Sequence, residues 1–313
     1  TLPVYLAVPA ADAEELHTQI ADAAMMIQNP IKIHNAYLST TEHLIVELLN
    51  QTNKSIEVTL RVEGEEKPVL IEPGISRVDM PVKLDGRKEI ALEVESQAGI
   101  QKQTVSLDLL EIPKLVQSQI DGSLSTVSDR IGIPLAEHKY LLPVDPGIPW
   151  DGKQDLSITA WLGWNEQVLY YAAQVTDDIH FVDRDDATGF WQSDSIQIAM
   201  DPQNDSLMDF NEDDVEIGMV LGQDKPHVYM TVPTRKEIVC EVAVQRNNTD
   251  TVYEAAIPWS ELGIEPPQPG QVMAINFIVN DNDGQGRLYW MGLTPGVAEG
   301  KQPAVYRKFE FCR

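Results

Sequence analysis

The sequence predicts an all-β protein: two antiparallel β-sandwich domains with a short N-terminal helix. Short runs alternate apolar and polar residues, the period-two signature of half-buried strands. Turn-forming clusters such as QTNK, EGEE, EPG, LDGR and SQAG break these runs about every ten residues, as a sandwich requires. A proline-bearing stretch, EIPKLVQSQIDG, then separates two such series, and 313 residues suffice for two domains that each bury a core.

Residues 1–30 hold a strand-like run, LPVYLAVPA, and a helix predicted over 12–28. Asp12 and Glu15 stand in capping-box spacing, and Leu16, Ile20, Ala24 and Ile27 share one face. This segment reads either as the tail of a preceding domain or as a cover for the next one. Its opening lacks a basic region and does not read as a signal peptide.

Residues 31–114 form the first expected sandwich. In SIEVTLRV, Ile56, Val58, Leu60 and Val62 point one way, and in KEIALEV so do Ile90, Leu92 and Val94. HLIVELLN, KPVLIEP, SRVDMPVKL and KQTVSLDLL supply further strands. Over 31–112 this pattern resembles an immunoglobulin- or fibronectin-type domain. It has no Trp, no Cys pair and no clustered His or acid, so it reads as a structural spacer.

Residues 115–313 form the second. DLSITAWLGW alternates through Leu156, Ile158, Ala160 and Leu162. NEQ then turns the chain into VLYYAAQV, where Leu169, Tyr171, Ala173 and Val175 share a face. SDSIQIAMD, EIGMVLG, HVYMTVP, IVCEVAVQ, TVYEAAIP, MAINFIVND, RLYWMGL and YRKFEF complete a two-layer antiparallel sandwich.

The formal charge is -26. Binding to phosphate backbones or anionic membranes depends on Lys and Arg, so no nucleic-acid partner is expected. No run reaches the roughly 18 apolar residues of a spanning helix, and no membrane insertion is expected. Cys240 and Cys312 are too few and too far apart for a metal motif or a disulfide framework, and they leave the redox compartment open.

WLGWNEQVLYYAAQVTDD, GFWQSDSIQIAMDPQND, VYEAAIPWSELG, INFIVNDNDGQGRLYW and the closing FEF resemble, in the same order, family-9 carbohydrate-binding modules within the wider DOMON-like group. IDG at 120–122 matches the family's opening, and the resemblance covers about residues 117–313. It implies a module that binds a polysaccharide or oligosaccharide, holding a sugar between two tryptophans while polar side chains read its hydroxyls. Trp191 stands at the first platform position, and Gln197 replaces a carboxylate that reads hydroxyls. The family's arginine falls on Gly218, its sheet glutamine on Ile278 and its second tryptophan near Gly300. Lys301, Gln302 and Tyr306 in the final loop are therefore the candidates to complete a shifted site. Trp164, Trp259 and Trp290 also match family positions and read as core aromatics.

Acids crowd the stretch from Asp177 to Glu216, where Arg184 is the lone Lys or Arg. Calcium takes six to eight oxygen ligands from flexible loops. Asp201, Asn204, Asp205, Asp209, Asn211, Glu212, Asp213 and Asp214 offer such oxygens. The resemblance also implies structural Ca2+, and a solvated acidic loop is the alternative. No organic cofactor is expected. The chain carries no HExxH, GxSxG or P-loop, so no enzyme activity is expected of it.

The reading is a non-catalytic accessory region of a larger carbohydrate-active protein, secreted or at the cell surface, with a catalytic domain linked covalently upstream. One alternative is a structural or protein-contact module that keeps the fold and has lost sugar binding. A haem-binding DOMON-like domain is another, for which Met200, Met219, Met230, Met273 and Met291 are the available sulfur ligands.

Overall fold

The computed structural model describes residues 29–84, 89–106, 108–142, 150–205 and 208–313. The strand-like run and helix expected within 1–28 lie outside these residues, as does most of the LDGR turn. The chain divides into two compact units, Thr1–Asp108 and Leu109–Arg313.

In the first unit, β1 (Ile31–Thr40), β2 (His43–Asn50) and β5 (Gly74–Pro81) form a three-stranded sheet. β3 (Ile56–Val62), β4 (Glu65–Ile71), β6 (Glu89–Ser96) and β7 (Gly99–Ser106) form a four-stranded one in the order β4-β3-β6-β7. Every pairing is antiparallel. The alternating positions supply the core: Leu44, Val46 and Leu48 from β2, Val58, Leu60 and Val62 from β3, and Ile90, Leu92 and Val94 from β6. Glu63 and Gly64 join β3 to β4 with φ of 51° and 88°, the two positive angles of a tight hairpin turn that a glycine tolerates without strain.

The second unit has a five-stranded sheet in the order β17-β18-β12-β11-β9. Its strands are β9 (Ile133–Leu135), β11 (Leu156–Trp164), β12 (Val168–Asp177), β17 (Glu241–Asn247) and β18 (Asp250–Pro258). The facing nine-stranded sheet runs β10-β20-β19-β13-β14-β15-β16. Those strands are β10 (Leu141–Leu142), β13 (Ser195–Asp201), β14 (Val215–Leu221), β15 (Pro226–Val232), β16 (Lys236–Glu237), β19 (Val272–Asp281) and β20 (Tyr289–Gly292). β21 (Arg307–Phe311) adds to β19, and β8 (Leu109–Ile112) lies parallel to β21. The fold is all-β, and a single helical turn at Trp259–Leu262 is the only α-helix among the described residues.

The expected strand KQTVSLDLL divides. Its first half ends β7, whereas Leu109 and Leu110 open β8 in the second unit. The division of the chain thus lies ahead of the proline-bearing stretch and not at 114/115, because Ile112 is fully buried in the second core and Leu110 packs against it.

That core lies between the two sheets. Ile196, Ile198 and Met200 of β13, Val215, Ile217 and Met219 of β14, and Met273, Ile275, Phe277 and Val279 of β19 all point into it. Trp164 and Trp259 are core residues as expected: each meets Phe311 edge-on, at 5.7 and 6.0 Å, and donates its Nε1–H to a backbone carbonyl, of Cys312 and Asn165. Met200, Met219, Met230, Met273 and Met291 are all buried in this cluster, where a flexible thioether fills gaps. Because side chains alternate, the residues between these inward ones line the outer face of the large sheet.

Candidate functional site

Gln197 of β13 stands on that outer face. Across the ladder it pairs with Gly218 of β14 and Ile278 of β19. Ser195 pairs with Asn280, which in turn pairs with Trp290 of β20. A connected polar network joins these strands. Gln197 Nε2 donates to Glu216 Oε1 at 2.9 Å, and Thr231 Oγ1 donates to the same oxygen at 3.0 Å. Asn280 Nδ2 donates to Gln197 Oε1 at 3.1 Å and to Ser195 Oγ at 3.0 Å. Glu216 is 3% exposed, and a carboxylate so buried needs compensation, which Gln197, Thr231 and an ion pair from Lys301 to its Oε2 supply.

Above this network lies a concave site of about 270 Å³, lined by Trp191, Gln197, Glu216, Arg235, Arg287 and Lys301 among others. Trp191 is 36% exposed. The Arg287 guanidinium carbon lies 4.9 Å from its ring centroid and 4.0 Å from that of Trp290, and Arg287 Nη1 donates to Asn280 Oδ1 at 3.1 Å. Burial lowers the Arg287 pKa, and Glu299 nearby opposes that shift.

The fold brings Trp191, Gln197 and Lys301 together and leaves Gln302 and Tyr306 out of the lining. Tyr306 is buried, packs with Ile278 and Val297, and donates its hydroxyl to Gly296 O at 2.9 Å. Gln302 bonds the same carbonyl through its backbone N–H. Both residues shape the final loop.

Trp290 departs from the core reading. Tyr289 and Met291 take the inward positions of β20, so Trp290 lies half-buried on the outer face, its Nε1 3.4 Å from Glu299 Oε1. Sequence reasoning also missed Glu216, Thr231, Arg235 and Arg287. The signal for Glu216 was its alternation with Ile217 in VEIGMV; Arg287 and Arg235 sit in loops and carry no such signal.

Asp201, Asp205 and Asp213 each offer a ligand oxygen within a 4.8 Å grouping that could hold a cation. Asp205 N–H donates to Asp201 Oδ1, and Asn211 Nδ2 donates to Asp205 Oδ1 at 2.9 Å. Asn204 is buried with φ at 56°, and Asp214 is buried and accepts the Asn211 N–H at 2.6 Å. Asp209 and Glu212 are exposed and stand outside the grouping.

A second concentration of acid joins Asp177 to Asp281 and Asp283, with His180 and Asp194 beside Asp177. Arg246 pairs with Asp177 at 3.3 Å. Burial, then the charges of Asp194 and Asp177, push the Asp281 carboxyl up to about 9. Buried carboxylates this close are relieved by a proton or by a cation.

Residues 144–298 match the family model described as "Carbohydrate family 9 binding domain-like". This segment belongs to that family. The match takes in Trp191, Gln197, Glu216 and Arg287 of the family-9 module and stops short of Lys301. Among solved structures, a family-9 carbohydrate-binding module from Caldicellulosiruptor kristjanssonii in complex with cellotriose is 16% identical, with a TM-score of 0.48 over 65% of this chain and 94% of that one. A family-9 module from the same organism in complex with glucose is also 16% identical, with a TM-score of 0.44 over 65% of this chain and 97% of that one. A comparison with curated proteins gives no match.

Proposed function

We propose that the family-9 module holds an oligosaccharide or polysaccharide at the Trp191 pocket, as a non-catalytic accessory region of a larger carbohydrate-active protein, secreted or at the cell surface. The observation that carries this reading is the junction of an accessible indole with a fixed polar floor. Trp191 offers a flat apolar surface on which the C–H face of a pyranose stacks, while Gln197, Thr231 and Lys301 stand beside it to meet hydroxyls. The floor is held in place by its own hydrogen bonds through Glu216 and Asn280, so little ordering is left to binding. In this reading calcium at Asp201, Asp205 and Asp213 fastens the loop between β13 and β14, and any catalytic domain is linked upstream in the parent protein.

A glycan array followed by tryptophan-fluorescence titration of the purified chain tests this. The expected result is saturable binding to at least one glycan, weakened in Trp191→Ala. No saturable signal with any glycan rejects the reading.

A further inference from the structure

We infer that the sugar held at this pocket carries a carboxylate: the site suits a uronate residue better than a neutral one. This rests on the sugar-binding reading above and narrows it to a ligand class.

The chain as a whole has 49 Asp and Glu against 23 Lys and Arg, yet this pocket reverses the balance. Arg235, Arg287 and Lys301 line it against the single carboxylate of Glu216. Lys301 and Glu216 neutralise one another as an ion pair. That leaves two arginines, and among the described residues neither has a carboxylate within ion-pair distance. The acid nearest in effect to Arg287 is Glu299, whose carboxylate already receives the Gly296 N–H at 3.0 Å and stands 3.4 Å from Trp290 Nε1.

Arg287 is also constrained in how it can be used. Its guanidinium carbon lies 4.9 and 4.0 Å from the centroids of the Trp191 and Trp290 rings, contacts that hold the head group at the pocket. One N–H is directed to Asn280 Oδ1. A planar fork with open donors beside a sugar platform matches a planar carboxylate, which accepts two parallel N–H bonds; a hydroxyl offers no such match. Exposed Arg235 adds a second positive charge at the rim. Distant acids weaken this little, since charges beyond about 8 Å are largely screened at physiological salt.

Oligogalacturonides and glucuronate-containing disaccharides, each beside its methyl ester, its neutral parent sugar and a sulfate ester of that parent, are titrated into the intact chain. The ester keeps the shape and removes the charge, so the acid-to-ester affinity ratio reads the carboxylate contribution directly. We expect the acid to bind at least about tenfold more tightly than its ester, the scale of a charge-assisted bidentate contact. Arg287→Gln should bring the ratio towards one. Arg235→Gln, at an exposed position where folding is not at issue, should lower it severalfold. Esters or neutral parents binding as tightly as the acids would overturn the inference and leave the sugar-binding reading standing, whereas a chain that binds no glycan at all would sink both. Stronger binding of the sulfate ester, or an unchanged ratio in both arginine variants, would overturn the carboxylate assignment.

Discussion

Phe190 lies so closely over Gly218 that a Cβ on the glycine would stand 1.9 Å from two atoms of its ring. The ring is fully buried there, stacked on Tyr229 at 6.0 Å, and the short turn Phe190–Gln192 carries Trp191 to the rim of the pocket. Gly218→Ala is therefore expected to destabilise the module by about 1–3 kcal/mol, the usual cost of overpacking, and to weaken glycan binding by displacing the turn. Thermal denaturation and titration of the same variant check the two effects. Gly218→Arg should expel the ring outright.

Trp191→Ala and Trp290→Ala should separate binding from stability. Trp191 is 36% exposed, so its removal should cost about 1–3 kcal/mol of glycan affinity, as for an interface anchor, and leave the melting midpoint nearly unchanged. Trp290 packs against the buried cluster of Ile278, Val297 and Tyr306 and should lower both. A Trp191→Ala variant that melts much earlier than the parent would show that this indole is part of the fold.

Calcium should raise the melting midpoint relative to EDTA, because an ion that binds only the folded state stabilises it by mass action, about 2.7 kcal/mol at a concentration a hundredfold above its Kd. Asp205→Asn, within the grouping with Asp201 and Asp213, should blunt this response, and Asp209→Asn, exposed and outside it, should not. Identical midpoints with and without the ion would mean that this grouping holds no calcium.

Cys240 and Cys312 are free thiols, and burial, followed by nearby glutamates, pushes both up to about 11. Low polarity and negative neighbours disfavour the thiolate, so only about one thiol in a thousand is ionised at pH 8. Alkylation of the native protein should be far slower than that of free cysteine and should accelerate about tenfold per pH unit between roughly pH 7 and 10. The sign for stability follows: the folded pKa lies above the unfolded value of about 8.5, so this contribution is intact below that value and is lost as pH rises towards 11. Rapid alkylation at pH 7 would contradict the half-buried, acid-flanked placement of these thiols.

Alternation made both sandwiches legible, since a strand's backbone sends successive side chains to opposite faces and the buried face shows directly in the residue string. Ile196, Ile198 and Met200 announced the core side of β13 and left Gln197 on the other. The same rule, applied to RLYWMGL, would have placed Trp290 outside, had its size not suggested an interior position. The helix predicted over 12–28 lies among residues the structure does not describe.

Local periodicity by itself thus determined the fold class and the sidedness of strands such as β3, β6 and β13, while Trp191 entered as a candidate only through the family resemblance. Only the tertiary structure decided that Glu216, Arg235, Arg287 and Lys301 meet Gln197 in one pocket, and that Asp281 joins Asp177. The reason is physical. Side-chain direction is set by a few consecutive residues, whereas the order of β20, β19, β13, β14 and β15 in a sheet is set by hydrogen-bond ladders between segments far apart in the chain, and it is that order which brings the charges together.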